Sequence, residues 1–169
     1  MKIRELLDGI RKQDIVLPEF QREYVWSKDQ AKQLMVSLLS DYPVGSLLFW
    51  NTDNPPELKN INKLPERLGS YQVLLDGQQR LTTLYLLLTG KIPPYYNKNE
   101  IITDPRELFF NIESCVFQYY QPSRMKGNPV WVKVVDCFSS ETINPVEIAK
   151  ELSEKDKNTL NKIEIFYEN

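Results

Sequence analysis

The sequence predicts an α+β fold in which helices and strands are mixed along the chain. Short apolar runs typical of buried strands alternate with stretches of helical period, and one strand runs directly into a tight turn and a helix. The chain has 169 residues, of which 41% are hydrophobic and 26% are charged. This size and composition are typical of a folded globular domain.

The first part of the chain contains a helix, a short strand and a loop. Apolar side chains recur at i, i+3, i+4 and i+7 over residues 3–10, which predicts an amphipathic helix. Residues 14–18 are expected to form a brief strand that a proline ends. Residues 18–27 follow neither period, although they are crowded with aromatic and charged side chains. We interpret them as a loop that takes part in binding.

A second helix and two buried strands are expected next. Ser27 and Gln30 form an S-x-x-Q capping box ahead of an apolar stripe, which predicts a helix that ends near residues 41–43. Residues 44–50 and residues 71–75 are compact apolar runs. Both runs are expected to be buried strands.

The second of these strands leads into the sequence D-G-Q-Q-R at residues 76–80, and helical period then continues to Gly90. Gly77 allows the backbone to turn tightly and to approach a ligand closely. The N–H groups of residues 78–80 are expected to point out of the helix N-terminus, where the helix dipole favours an anion. This arrangement predicts a phosphate site.

The side chains of this turn add chemistry to the backbone site. Arg80 offers a bidentate fork for phosphate oxygens, and Gln78 and Gln79 can donate or accept hydrogen bonds. Asp76 could coordinate a metal ion or orient a water molecule. The alternative is purely structural: Asp76 caps the helix, and Arg80 pairs with a surface carboxylate.

A second amide and guanidinium pair, Gln21 and Arg22, lies on the aromatic loop. If this loop lies beside residues 76–80, two arginines and three glutamines converge on one concave site. Phe20 and Tyr24 would then line the pocket. The structural alternative is that the aromatic side chains are core residues, and we favour that role for Trp26.

The second half of the sequence predicts further strands and then helices. Residues 108–112 and 115–120 are expected to pair as a hairpin, and residues 130–135 alternate as another strand does. An N-cap with proline at N1 predicts a helix over residues 144–152, and a further helical pattern begins at residue 153. The fold is therefore expected to end in a helical C-terminal part.

The last helical pattern reaches Asn169 without a capping signal. We therefore expect the chain to be the N-terminal piece of a longer protein. Residues 1–140 are expected to form one domain that contains the predicted phosphate site, and residues 141–169 are expected to begin a helical region.

Composition excludes several classes of function. The chain has no histidine, which excludes a Ser-His-Asp triad, histidine zinc sites and nucleases that activate water with imidazole. Its net charge is −2, so the chain is not basic enough to bind nucleic acid by charge alone. The two cysteines lack metal-ligand spacing, and the N-terminus does not have the pattern of a signal peptide. A cytoplasmic protein with reduced thiols is expected.

Three segments carry a resemblance to a known family: PEFQREYVW, DYPVGSLLFW and LLDGQQRLTTLYLLLTG. Roughly residues 14–90 closely resemble the N-terminal domain of GmrSD-type, modification-dependent restriction endonucleases. That domain belongs with the ParB/sulfiredoxin-like nucleotide-binding fold. The resemblance therefore implies that residues 1–140 form a ParB-like nucleotide-binding domain, with a small mixed sheet flanked by helices. Residues 91–169 match only in general character, and no roles are carried over to them.

The resemblance implies a module that binds and hydrolyses a nucleoside triphosphate and thereby powers or gates cleavage of modified phage DNA. In that family D-G-Q-Q-R is the nucleotide-handling motif, here residues 76–80, and F-Q-R, here residues 20–22, lines the same pocket. Related proteins usually cut with a C-terminal HNH-type domain, which needs histidine. Cleavage is therefore expected in a C-terminal region beyond this chain or in a partner subunit, with DNA as a partner of the full-length protein.

A mechanism that agrees with both the residues and the resemblance places the triphosphate on the N-terminus of the helix. Arg80 and Arg22 neutralise phosphate charge, and a divalent ion such as Mg²⁺, held partly by Asp76, bridges phosphate oxygens. Gln78 or Gln79 positions the attacking water. Positioning and electrostatic stabilisation then supply most of the catalysis.

Two other functions remain open on sequence grounds. The same arginines could hold a DNA phosphate without turnover, while the tyrosine pairs at residues 95–96 and 119–120 stack on bases. Alternatively, the chain could be a regulatory domain with a vestigial pocket. A nucleotide panel and the salt dependence of DNA binding would separate these functions.

Overall fold

The computed structural model describes residues 2–61 and 69–138, and helices and strands alternate along these residues as expected for an α+β fold. The elements are α1 (Ile3–Arg11), β1 (Ile15–Val16), α2 (Lys28–Leu39), β2 (Leu48–Thr52), β3 (Tyr71–Asp76), α3 (Gln78–Thr89), β4 (Leu108–Asn111), β5 (Val116–Tyr119), α4 (Pro122–Met125), β6 (Trp131–Lys133) and α5 (Val134–Phe138). The predicted helices α1, α2 and α3 and the predicted strands β1 and β3 are confirmed.

The first sheet contains three strands in the order β1, β3, β2. Strand β1 is parallel to β3, and β2 is antiparallel to it, so the small mixed sheet that we expected is confirmed. The more specific ParB-like topology stays a prediction. β3 is the central strand: β1 pairs with it near its start, at Gln72 and Val73, whereas β2 follows it to Asp76 and so holds its C-terminal end.

The second sheet is antiparallel, with the order β5, β4, β6. It contains the expected hairpin and the strand expected near residues 130–135. The turn had a weak signal in the sequence, and the structure shows what closes it. The Asn111 side-chain oxygen accepts hydrogen bonds from the N–H groups of Glu113 (3.1 Å) and Ser114 (2.8 Å), and Cys115 follows with a positive φ of 55°.

Helix α3 contributes to the two larger of the three hydrophobic clusters among the described residues. Leu81 and Leu86 pack with Leu74 of the first sheet, whereas Leu84 and Leu87 pack with Leu108 of the second. Every residue of α3 from position 81 to position 88 is therefore buried. A helix that is apolar on all sides is typical of a central position, and this one provides a rigid base for whatever its first turn carries.

The strand expected over residues 44–50 is shifted and is not buried. Strand β2 begins at Leu48, because Gly45 adopts a positive φ of 84° and residues 44–47 form a loop. β2 is an edge strand in which Phe49 faces the core, while Leu48 and Trp50 are exposed. Leu48, Phe49 and Trp50 are all apolar, so the sequence does not show the alternation of polar and apolar side chains that usually marks a strand with one exposed face.

Short elements were missed, and some predictions lie outside the described residues. Helices α4 and α5 are only four and five residues long, too short for a readable period. The helices expected over residues 144–152 and from residue 153, and therefore the domain boundary near residue 140, lie outside the described part of the chain. Within that part, no helix has the length and apolar character that a membrane span requires.

The capping box of α2 is confirmed and can be tested. Ser27 Oγ accepts from the Gln30 N–H (3.2 Å), and the Ser27 N–H donates to Gln30 Oε1 (2.9 Å). Replacing Ser27→Ala should lower the free energy of unfolding by about 1 kcal/mol, because an N-terminal donor loses its acceptor. Urea denaturation measures the change.

The matched control is Ser37→Ala in the same helix, a position that is not at a helix cap. Alanine is the better helix former there, so stability should stay within about 0.5 kcal/mol of wild type or rise. Equal losses in the two variants would contradict the capping role.

Candidate functional site

The two segments singled out in the sequence form one pocket. The aromatic loop lies against the first turn of α3, and the cavity between them has a volume of about 230 Å³. Its walls are formed by Gln21, Arg22, Trp26, Asp76, Gly77, Gln78, Gln79 and Arg80. The expected convergence of three glutamines and two arginines is thus observed.

The floor of the pocket is the junction of β3 and α3. Gly77 has a φ of 91°, and a side chain at this position would collide with that of Leu47. Glycine is therefore required at this position for two reasons: the backbone is left-handed, and Leu47 leaves no room for a side chain. Among the described residues, the Asp76 carboxylate bonds to Arg80 and to no N–H of the first turn of α3. The capping role that we considered for Asp76 is not observed.

Gln79 uses its amide to hold the aromatic loop. Its Oε1 accepts from the N–H groups of Val25 (3.0 Å) and Trp26 (3.3 Å), and its Nε2 donates to the Glu23 carbonyl (2.9 Å). These three backbone groups lie in a loop that has no ladder of its own. Gln79 therefore supplies the hydrogen bonds that a neighbouring strand would otherwise provide.

Gln78, one residue earlier, holds the same loop together with Tyr96, a residue to which the sequence analysis gave a different role. Its Nε2 donates to the Arg22 carbonyl and to the Tyr96 hydroxyl, and the Tyr96 hydroxyl donates to the Arg22 carbonyl (3.0 Å). Burial raises the pKa of Tyr96 to about 12, although the Gln78 bond opposes this, so the hydroxyl stays protonated near neutral pH. The sequence analysis identified the tyrosine pair at residues 95–96 but gave no sign that Tyr96 contacts the loop at Arg22.

Arg80 holds the loop that precedes β2. Its Nη1 donates to the Val44 carbonyl (2.7 Å), and its Nη2 donates to the Ser46 carbonyl (2.8 Å) and to Asp76 (3.2 Å). A side chain at Gly45 would collide with the guanidinium, which explains the glycine there. Arg80 therefore pairs with a carboxylate, as the structural alternative expected. Its guanidinium also donates to two backbone carbonyls, which that alternative did not include.

Gln21 and Arg22 differ in whether their side chains have hydrogen-bond partners within the protein. Gln21 Nε2 donates to the Leu75 carbonyl (2.9 Å), which joins the loop to β3. Arg22 is exposed, and within the described part of the chain its guanidinium has no hydrogen bond or ion pair. Arg22 is therefore the pocket side chain with a charge that is available to a ligand.

The structure does not place Phe20 and Tyr24 in this pocket. Phe20 is 73% exposed and lines a separate open depression with Glu19, Pro56 and Glu57. Tyr24 is fully buried in the core, where its hydroxyl lies 2.9 Å from Thr83 Oγ1. Trp26, for which we favoured a core role, packs on the core and lines the pocket as well. A loop without a period gives no signal for the direction of its side chains.

Base stacking by the first tyrosine pair is contradicted. Tyr95 and Tyr96 are both buried and pack edge to face, with ring centroids 5.3 Å apart. Tyr119 is half-buried, and its hydroxyl donates to the Lys28 carbonyl (2.7 Å), whereas Tyr120 is exposed. A stacking surface that uses both tyrosine pairs is therefore absent from the described residues.

The residues of the pocket limit how a metal ion could be held. Asp76 is the carboxylate that lines the cavity, and its side chain is 72% exposed. Over residues 2–61 and 69–138 no group of three or more carboxylate, cysteine or histidine side chains could form a metal site. This fits an ion such as Mg²⁺ that takes one carboxylate, phosphate oxygens and water, rather than a cage of protein ligands.

The structural role of Gln79 predicts a large loss of stability on truncation. Replacing Gln79→Ala leaves three backbone groups of the loop without partners, so the free energy of unfolding should fall by about 3 kcal/mol. The control is Gln33→Ala on the exposed surface of α2, which should change it by less than about 0.5 kcal/mol. Urea denaturation compares the two, and a loss below about 1 kcal/mol for Gln79→Ala would contradict the clamp.

Comparison with known proteins agrees with the resemblance seen in the motifs and extends it along the chain. Residues 3–169 match the family described as GmrSD restriction endonuclease, N-terminal domain. An uncharacterized protein of Methanocaldococcus jannaschii is 33% identical over 129 residues, which cover 67% of this chain and 21% of that protein. The chain thus spans about a fifth of the length of this relative. From its match over almost the whole sequence, the chain belongs to the family of GmrSD restriction endonuclease N-terminal domains.

Proposed function

We propose that this pocket binds the phosphate groups of a nucleoside triphosphate and that the domain powers or gates a modification-dependent DNA restriction system. One observation carries the proposal: the uncapped N-terminus of α3 opens into a polar cavity that also contains the available guanidinium of Arg22. Backbone N–H groups at a helix N-terminus and a nearby arginine are a recurrent combination for phosphate. Family membership supports the restriction context.

The size of the cavity favours the phosphates over the whole nucleotide. Pockets that enclose a complete small ligand usually measure about 300–1,000 Å³. The present cavity, at about 230 Å³, is smaller. In the proposal the polyphosphate enters the cavity, while the base and ribose extend toward the open side.

In the proposal, each candidate residue has a role that depends on whether its polar atoms already have protein partners. Arg22 neutralises phosphate charge, and the N–H groups of the first turn of α3 bind phosphate oxygens. Asp76, whose carboxylate lines the cavity and is largely exposed, would supply one oxygen ligand to a Mg²⁺ ion that accompanies the phosphates. Gln79 and Arg80 act mainly by holding the loops that form the walls, since their polar atoms already have protein partners.

Hydrolysis is the proposed reaction, and positioning is its main requirement. Water attacks the terminal phosphorus, the bond to the bridging oxygen breaks, and a nucleoside diphosphate, inorganic phosphate and one proton of the water are released. The Gln78 Oε1 atom has no partner among the described residues, so we assign to Gln78 rather than Gln79 the orientation of that water. Cleavage of DNA, in phage defence, belongs to a region beyond this chain or to a partner subunit.

The test uses Arg22→Gln, which removes the available charge without removing a described protein contact. Arg80 is a poor probe, because its loss also frees the loop at residues 44–46. Calorimetry and thermal shift with ATP, GTP, CTP and UTP plus Mg²⁺ should show binding of at least one nucleotide by wild type. A ligand at 100 times its Kd should stabilise the protein by about 2.7 kcal/mol.

Arg22→Gln should weaken this binding at least about tenfold, because a charge-assisted bond to phosphate is worth about 1.5–3 kcal/mol. Arg4→Gln, an exposed arginine of α1, is the control and should bind as wild type does. Failure of all four nucleotides to bind, or equal affinity in the two variants, would overturn the proposal. Steeply salt-dependent binding of DNA alone would favour the phosphate of a nucleic acid instead.

A further inference from the structure

We propose that Tyr96 is a positioning residue of the phosphate pocket, which fixes the backbone of Arg22 so that its guanidinium is presented to the ligand. This inference rests on the proposed function and adds a residue from outside the two motif segments. Tyr96 lies between α3 and the short 3₁₀ turn Lys98–Glu100, far along the chain from Arg22.

The geometry that carries the proposal is a closed triangle of hydrogen bonds. The Arg22 carbonyl accepts from the Tyr96 hydroxyl at 3.0 Å and from Gln78 Nε2. The third side is the bond from Gln78 Nε2 to the Tyr96 hydroxyl. One carbonyl of an exposed loop is thereby held by two buried side chains, so the loop has a defined conformation at the residue that presents its charge.

Tyr96 is itself held firmly. It is 5% exposed, and its ring packs against that of Tyr95 with an interplanar angle of 68°. The Lys59 ammonium lies 5.0 Å from the ring centroid, and it also pairs with Glu100 at 3.4 Å. The tyrosine therefore connects a fixed ion pair on one side with the pocket wall on the other.

Fixing the backbone matters because the Arg22 side chain has many rotamers and no protein partner within the described residues. Ordering such a side chain on a ligand costs conformational entropy. A loop that already points the side chain toward the phosphates reduces the remaining cost. Loss of the Tyr96 hydroxyl should thus weaken ligand binding through Arg22 and not only the fold.

The neighbouring tyrosine provides a matched control. Tyr95 is 1% exposed, and its hydroxyl lies 3.4 Å from Thr82 Oγ1 of α3; among the described residues it has no hydrogen bond to the aromatic loop. Tyr95→Phe and Tyr96→Phe each remove one buried hydroxyl group. Only the second removes a donor to the Arg22 carbonyl.

The experiment measures affinity in the full chain, with Mg²⁺ tripolyphosphate and the best-bound nucleotide as probes. Tyr96→Phe should weaken binding about fivefold to tenfold, the range expected for one hydrogen bond. Tyr95→Phe should stay within about twofold of wild type. Equal affinities in the two variants would overturn the positioning role.

A double-mutant cycle with Arg22→Gln separates positioning from general stability. In the Arg22→Gln background, Tyr96→Phe should change affinity by less than about twofold, although it should lower the Tm in both backgrounds. An equal loss of affinity in both backgrounds would show that the role is structural only. If Tyr96→Phe does not fold, Gln78→Met removes the other donor to the same carbonyl, and the same cycle applies.

The outcomes also distinguish the two proposals. If wild type binds no triphosphate, the proposed function fails and the positioning role fails with it. If wild type binds and Arg22→Gln does not, while Tyr96→Phe binds normally, the proposed function stands and only the positioning role is overturned.

Discussion

The first turn of α3 supplies hydrogen-bond partners to backbone groups of two loops that lie outside regular structure. Backbone groups in the aromatic loop and in the loop before β2 are bonded by the side chains of Gln78, Gln79 and Arg80. Buried backbone groups without partners are costly, so a chain that leaves regular structure must find such bonds elsewhere. Here they come from one turn of one helix, and the walls of the pocket depend on it.

That turn can serve as an anchor because the rest of α3 is buried between the two sheets. Tertiary packing fixes the helix along its whole length, and the central strand β3 fixes its start. Side chains that leave such a rigid base are well positioned, and this is what a binding site requires of its supporting residues. The pocket combines a rigid floor with walls that are tied to it by polar bonds.

The order of the main elements was predictable because local signals agree there. The capping box of α2, the apolar run of β3 and the terminal glycine of α3 each gave the correct element. The convergence of the two polar segments was also predictable from their chemistry. The register of β2 was not, because an edge strand with apolar residues on both faces resembles a buried one.

The hydrogen-bond partners of individual side chains could not be predicted from the sequence. Gln79 bonds to backbone more than fifty positions away, as Gln21 does, and no periodicity reports such a contact. Tyr96 gave no sign that it contacts the pocket, since it lies outside both motif segments and its partners, the Arg22 carbonyl and the Gln78 side chain, are distant along the chain. Phe20 lies in a loop, where exposure depends on turns that local sequence does not encode.

Because Gln79 and Arg80 hold loops in place, the presence of the D-G-Q-Q-R motif in a homologue does not by itself indicate that the homologue hydrolyses a nucleotide. Folding alone would select for these two side chains and for the glycine beside them, whether or not a nucleotide is ever hydrolysed. A homologue that has lost its chemistry would thus still carry the motif. The Arg22 guanidinium has no hydrogen bond among the described residues, so under the proposed function Arg22 is the position at which divergence among homologues would separate active domains from inactive ones.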